Sequence, residues 1–208
     1  MFIGALISLF SVVNPLGAIP VFLAMTPDYT AGERARTAFH TMLYFIAILL
    51  AFFLGGSLIL NFFGLSLNAL RIAGGLVIMS SGYALLQGKF AQSRAINEKV
   101  REEAADKEDI SFTPLCMPLL SGPGSISLLI GMYSEYPAWI DRGQIIGVIV
   151  AMGIIVFLIL RGAPFLFKVL GVAGLKAISR IMGFLVMAIG IQYIIAGGVS
   201  LVNQLSTL

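Results

Sequence analysis

The sequence predicts an all-α membrane protein of six transmembrane helices in two inverted-topology three-helix repeats, with helices 1 and 4 broken. Of its 208 residues, 59% are hydrophobic and only 11% are charged, and the mean hydropathy is +0.99. Soluble domains are nearer half apolar and a quarter charged, so a soluble globular enzyme is excluded. The second observation is an internal similarity between the two halves, and the third is a pair of helix-breaking motifs.

Six windows without Asp, Glu, Lys or Arg predict the membrane spans, because a spanning helix needs about 20 mainly apolar residues. The first window also lacks the basic residues of a cleavable signal peptide, so it is expected to remain as the first span. The windows are Met1–Pro27, Thr41–Leu70, Ile72–Gly88, Ile110–Ser134, Gly143–Leu160 and Ile181–Leu208.

A charged segment divides the chain into a first repeat (1–88), a loop (89–110) and a second repeat (111–208). Lys89–Asp109 holds five basic and six acidic residues and is expected to carry a short surface helix near Asn97–Ala105. Of the 13 Lys and Arg residues, only Arg71 and Arg142 fall on the side opposite this loop. Because basic loops stay in the cytoplasm, the loop is predicted to be cytoplasmic and both termini external. The net charge of +3 therefore reflects topology, and nucleic acid is not expected as a partner.

The two halves align with each other at two nearby offsets. Since each half has three spans, the second half must cross the membrane with opposite polarity, a plan common among secondary transporters. At an offset of 107 the matches are Gly17 with Gly124, Ile19 with Ile126, Met25 with Met132, Asp28 with Glu135 and Tyr29 with Tyr136; at 109, Arg71–Val77 falls on Arg180–Val186.

Corresponding positions of helices 1 and 4 carry helix-breaking motifs, Asn14–Pro20 and Pro118–Ser125. Proline interrupts a helix, while Asn and Gly before Pro favour a new helix start. Such a start presents free N–H groups and a positive dipole end, which suit a carboxylate. The alternative is a tolerated kink without a ligand. The candidate substrate-binding residues are Asn14, Pro15, Gly17, Ala18, Ser121, Gly122, Pro123, Gly124 and Ser125.

Four charged residues are candidates for gates. Arg71 and Arg180 begin helices 3 and 6, and Asp28 and Glu135 end the broken helices. By the topology above, Asp28 shares the inner side with Arg180, and Glu135 shares the outer side with Arg71. Each pair could close one side of the protein; alternatively, the arginines extend to lipid headgroups and do no more.

The sequence gives little support for a disulfide, a metal site or an enzyme. A single cysteine, Cys116, excludes an intramolecular disulfide and a cysteine metal cluster. The sequence has no P-loop, zinc-ligand pair or catalytic triad, so neither an enzyme nor a cofactor or metal is expected. The expected partners are the lipid bilayer and a small solute. Without an ATP signature, energy for transport has to come from an ion gradient or from the substrate's own gradient.

Four segments together resemble the MarC family of bacterial and archaeal membrane proteins: Asn14–Phe22, Arg71–Gly75, Pro118–Ile126 and Arg180–Gly183. The resemblance implies a fold similar to lysine-exporter-type transporters, a site between helices 1 and 4, and a secondary transporter of small neutral amino acids such as glycine, alanine or serine. Alternating access in the inner membrane, coupled to an ion or proton gradient, is the implied mechanism. An exporter of other solutes or drugs, a channel and a scaffold stay open as alternatives, as does a homo-oligomer.

Overall fold

The computed structural model describes residues 1–88 and 110–206, and every regular element within these ranges is a helix. Within these ranges five helices or helix pairs are long and apolar enough to cross a membrane, and there are six spans if one bent pair counts as a single broken span. The predicted all-α membrane fold of five to six spans is therefore confirmed. The predicted loop Lys89–Asp109 and its surface helix lie outside the described residues. The helices are α1 (Phe2–Val13), α2 (Pro15–Met25), α3 (Ala31–Phe62), α4 (Leu67–Leu86), α5 (Ser111–Leu120), α6 (Pro123–Glu135), α7 (Trp139–Arg161) and α8 (Ala163–Ser206).

The first span consists of α1 and α2 and breaks at Asn14, as predicted. Asn14 has a left-handed backbone (φ 47°, ψ 61°), a conformation that Asn adopts more readily than most residues. Its N–H still donates to the Phe10 carbonyl at 2.9 Å, so α1 ends with a regular helical bond. Pro15 then takes the first position of α2, where its missing N–H costs nothing.

The second span begins at Ala31, well before the predicted Thr41. Thr30 and Glu33 form a capping box: the Thr30 N–H donates to Glu33 Oε2 at 2.7 Å, and the Glu33 N–H donates to Thr30 Oγ1 at 3.3 Å. The predicted start was wrong because charged residues were assigned to a loop. They extend the helix beyond its apolar part instead.

The fourth span is the bent pair, with a 65° angle between α5 and α6. Within α5, Thr113 and Met117 are extended, and each precedes a proline, Pro114 or Pro118, which disfavours helical conformations. Gly122 is extended at the break, and Pro123 begins α6. The predicted break of helix 4 is confirmed.

The sixth span differs from its prediction at its start. Gly171 (φ 62°, ψ −179°) interrupts α8, and the helix continues from there past Arg180. The prediction that the span begins at Ile181 was wrong, because Lys176 and Arg180 were assigned to a loop. Arg180 thus lies well inside a helix, whereas Arg71 lies near the start of α4.

Glycines bring α4 and α8 into backbone contact. A Cβ added to Gly75 would lie 2.6 Å from the Gly190 carbonyl oxygen, and one added to Gly82 would lie 2.7 Å from that of Gly183. Such glycines let membrane helices approach closely. At an offset of 108 residues, Gly75 corresponds to Gly183 and Gly82 corresponds to Gly190. Exchanging the two halves therefore converts the first of these pairs into the second. This is the arrangement that an inverted repeat would produce, and the repeat itself stays a prediction.

Candidate functional site

The start of α6 packs against the last turn of α1, just before the break at Asn14, and against α4. A Cβ added to Gly124, in the first turn of α6, would lie 3.3 Å from Val12 Cγ1 in the last turn of α1 and 3.1 Å from Ile78 Cγ1 in α4. Gly122, Gly124 and Ser125 line a space of about 10 Å³ there. That volume is about the minimum for one water molecule. The site is therefore closed to an amino acid in this structure.

Asn14 is the most informative residue at the break. It is only 1% exposed, and neither its Nδ2 nor its Oδ1 has a hydrogen-bond partner within the described ranges. A Cβ at Gly17 would collide with Nδ2, so the amide lies against the first turn of α2 and would have to move to admit a side chain there. Leaving such a group unsatisfied costs about 1–3 kcal/mol. Native proteins keep few such groups, and a ligand is one reason to keep one.

The start of α6 offers backbone donors in place of an amide. No side chain caps this helix or α2. The Ser125 hydroxyl donates to the Gly122 carbonyl at 2.9 Å, and Ser121 Oγ lies 3.5 Å from Cys116 Sγ. Because these hydroxyls already have partners, the first N–H groups of α6 are the donors left for a ligand.

The remaining predicted binding residues differ in burial. Pro15 and Ala18 are buried with Gly17 in α2, whereas Pro123 is exposed. The structure therefore places Pro123 as the residue that begins α6 and places the other predicted residues inside the protein. Ser81 of α4 also lines the small space, and the sequence analysis did not single it out.

One of the two predicted gate pairs is in contact. Arg71 Nη2 lies 3.7 Å from Glu135 Oε2, with side-chain exposures of 16% and 52%. Asp28 is exposed, and within residues 1–88 and 110–206 it makes no ion pair with Arg180. We call the side of the molecule with Arg71 and Glu135 the Glu135 end, and the opposite side the Asp28 end. The gating role of all four residues stays a prediction.

Two arginines that the sequence analysis used only as topology signals contact the broken spans near their ends. Arg34 Nη2 donates to the carbonyls of Thr26 at 2.7 Å and Pro27 at 3.1 Å, so it satisfies the end of α2. A cation is also favourable at this negative end of the helix dipole. At the Glu135 end, the Arg142 guanidinium lies 3.9 Å from the ring centroid of Tyr133 in α6.

A larger cavity opens at the Glu135 end, between α1, α6 and α8. Its volume is about 610 Å³. No motif in the sequence pointed to it, because its walls come from three helices that are distant in the chain. The polar residues that line it are Ser8, Ser11, Glu135, Tyr136, Gln192 and Tyr193.

The comparisons with known proteins agree with this architecture. The sequence pattern of the MarC family of integral membrane proteins matches residues 1–202. The chain belongs to the MarC family. The resemblance that the four segments indicated is thereby confirmed, and all four lie inside the match. Within residues 1–88 and 110–206 of this chain, no group of three or more His, Cys, Asp or Glu residues could hold a metal ion.

Three relatives illustrate the breadth of the MarC family. A UPF0056 membrane protein of Buchnera aphidicola subsp. Schizaphis graminum is 38% identical, over 99% of this chain and 95% of the relative. One of Methanocaldococcus jannaschii is 38% identical over 94% and 95%. The UPF0056 inner membrane protein MarC of Salmonella typhimurium is 34% identical over 95% and 94%. No solved structure matches the chain.

Proposed function

We propose that the protein is a secondary transporter of small neutral amino acids, of the glycine, alanine and serine type. The observation that carries the proposal is the buried, unpartnered amide of Asn14 at the uncapped start of α2. A second uncapped start, that of α6, packs against the last turn of α1. A helix N-terminus contributes about 0.3–1 kcal/mol to anion binding when exposed and up to ~2 kcal/mol when partly buried. Two starts and one amide together supply the several contacts that a small carboxylate requires.

The lining of the site favours a zwitterion over a ligand with net charge. None of the residues around the small space is charged, so nothing there neutralises an extra charge. Asn14 Nδ2 can donate to the carboxylate, whereas Asn14 Oδ1 can accept from the ammonium group. The side chain of the substrate has to be small, because the glycines at the breaks bring the backbone close to the ligand.

Alternating access is the proposed mechanism, driven by an ion or proton gradient. The small central space and the larger cavity at one end are what a carrier closed at its centre would have. In the proposed cycle the Arg71–Glu135 pair closes one end and an Asp28–Arg180 pair closes the other. The reciprocal glycine contacts of α4 and α8 support an inverted repeat, which relates the two closed states.

We place the protein in the inner membrane, as the name of the Salmonella relative indicates for that protein. The excess of basic residues favours the Glu135 end on the outside and the charged loop in the cytoplasm. One chain supplies every proposed contact, so the site needs lipid around it and no second subunit.

Counterflow in liposomes tests the proposal. Purified protein should exchange external labelled alanine for internal alanine faster than it admits label into empty vesicles, because only a carrier couples the two movements. Alaninamide, which lacks the carboxylate, should compete about ten-fold less well than alanine, the effect of about 1.4 kcal/mol of lost binding.

Three outcomes would contradict parts of this proposal. Equal uptake with and without internal alanine would indicate a channel. Equal competition by alanine and its amide would refute carboxylate binding at the helix starts. Counterflow with a non-amino-acid solute alone would replace the substrate class.

A further inference from the structure

The cavity at the Glu135 end has the size and lining of a ligand site. Its volume of about 610 Å³ lies within the roughly 300–1,000 Å³ typical of small-molecule sites. Most of its wall is apolar, with polar groups contributed by all three helices. An apolar wall with a few polar groups is typical of small-molecule sites.

The Glu135 carboxylate is a negatively charged group in the wall of this cavity, which Met1, the first residue of the sequence, also lines. Among the side chains that line it, only the Glu135 carboxylate is charged. Two aromatic rings, Tyr136 and Tyr193, line it as well, and the Tyr193 hydroxyl donates to the Leu128 carbonyl at 3.2 Å, which fixes its position. A carboxylate beside aromatic rings is a combination that attracts an ammonium group.

Arg71 holds Glu135 only loosely. The distance of 3.7 Å from Arg71 Nη2 to Glu135 Oε2 exceeds the roughly 2.7–2.9 Å of a strong charge-assisted hydrogen bond. The Glu135 side chain is also half exposed, at 52%. The carboxylate therefore retains capacity for a second cation, for which Arg71 is a competitor.

The floor of the cavity points toward the central site. Ser11 lies about one helical turn before Asn14, and Leu128 lies about one turn after Ser125. Glu135 itself is ten residues beyond Ser125 in the chain, or about 15 Å along α6. A small amino acid cannot contact both positions at once.

We propose that this cavity is a second, separate substrate site, an entrance site in which Glu135 binds the ammonium group of the amino acid before the carboxylate reaches the central helix starts. The assignment rests on the proposed transport function. The substrate's ammonium group displaces Arg71 from Glu135, so binding at the entrance loosens the contact between α4 and α6.

Two substitutions separate this role from a simple gate. Removing Glu135 removes the ammonium ligand, whereas removing Arg71 removes the competitor for that ligand. Either change also breaks the gate pair, and this effect has the same sign in both variants. Glu135→Gln should raise the KM for labelled alanine uptake into intact cells about ten-fold, and Arg71→Gln should lower it. A residue pair that acted only as a gate would give changes in the same direction in both variants.

Further variants control for charge, folding and sidedness. Asp141→Asn removes an acid at the same end, in the first turn of α7 and outside the cavity, and should leave KM unchanged. Glu135→Asp keeps the carboxylate and should retain most of the affinity, which shows that loss in Glu135→Gln is not misfolding. In inside-out vesicles, where substrate arrives from the Asp28 end, Glu135→Gln should raise KM less than it does in intact cells, because the entrance site then lies on the exit side.

The entrance site is overturned if Glu135→Gln leaves KM unchanged in intact cells, or if both substitutions raise it equally. Those results leave alanine transport by the wild-type protein intact. Failure of the proposed function is a different result: the wild-type protein then transports no amino acid at all, and the entrance site falls with it.

Discussion

Asn14 combines a left-handed backbone conformation with a buried side-chain amide, and each of these two features needs its own explanation. The backbone conformation permits the break between α1 and α2, and glycine would adopt it more easily than asparagine. The amide is costly because it is buried without a partner among the described residues. The choice of asparagine over glycine is therefore explained by the side chain and not by the backbone.

Replacing Asn14 with glycine separates these two features. Asn14→Gly keeps the left-handed turn and removes the unpartnered amide, so the midpoint of thermal unfolding should stay the same or rise. Transport should suffer, with KM for labelled alanine raised about ten-fold or more. Asn61→Gly, at the exposed end of α3, is the control and should not change KM. An unchanged KM in Asn14→Gly would show that the amide has no ligand.

At the residue scale, the sequence predicted the break residues but not the cavity. Asn14, Pro15, Gly122 and Pro123 could be predicted because proline and helix capping act locally along the chain. Ser8, Gln192 and Tyr193 gave no signal, because their position depends on how α1, α6 and α8 pack. The cap by Arg34 and the contact of Arg142 with the Tyr133 ring were missed because a basic residue near a membrane end serves equally well as a topology signal.

Among the helices, α4 and α8 depend on glycine more than the others do. A Cβ at Gly190 would lie 2.6 Å from the Met79 nitrogen and 2.7 Å from the Gly75 carbonyl oxygen, both backbone atoms. Backbone atoms cannot rotate away as a side chain can. Any side chain there must push the two helices apart.

This contact predicts that alanine substitutions at two glycines of α8 differ in their effect on the stability of the protein. Gly190→Ala should destabilise the protein by about 1–3 kcal/mol, the usual cost of overpacking. Gly198→Ala should be neutral or slightly stabilising, since a Cβ there meets no atom within 4 Å and alanine favours a helix by about 0.5–1 kcal/mol. Reaction of the buried Cys116 thiol with a fluorogenic dye during heating reports unfolding. Equal midpoints for the two variants would refute close helix contact at Gly190.

Helix boundaries were predicted less well than helix number. The number follows from apolar length, which the bilayer thickness fixes. The boundaries at Ala31 and Gly171 lie in charged segments that continue the helices outside the apolar part, and only local signals mark them. The pattern Thr30-Ala31-Gly32-Glu33 is such a signal, since it is a capping box, and the apolar windows ignored it.

For the molecule as a whole, the two ends differ in this structure. At the Glu135 end the Arg71–Glu135 pair is formed beside a large cavity, whereas at the Asp28 end Arg34 closes the end of α2. An inverted repeat allows the reverse arrangement in a second state. Under the proposed cycle the asymmetry belongs to one of two states, and the orientation in the membrane decides which side of the cell the cavity faces.

The orientation can be measured on one helix. Leu65 and Gln87 are exposed residues just before and just after α4, whose 20 residues span about 30 Å, the thickness of the bilayer core. In a Cys116→Ser background, a membrane-impermeant maleimide should label Leu65→Cys in intact cells, because this position lies at the Glu135 end. Gln87→Cys should react only after the membrane is permeabilised. The reverse pattern would invert the proposed orientation, and labelling of both from outside would show that α4 does not span the membrane.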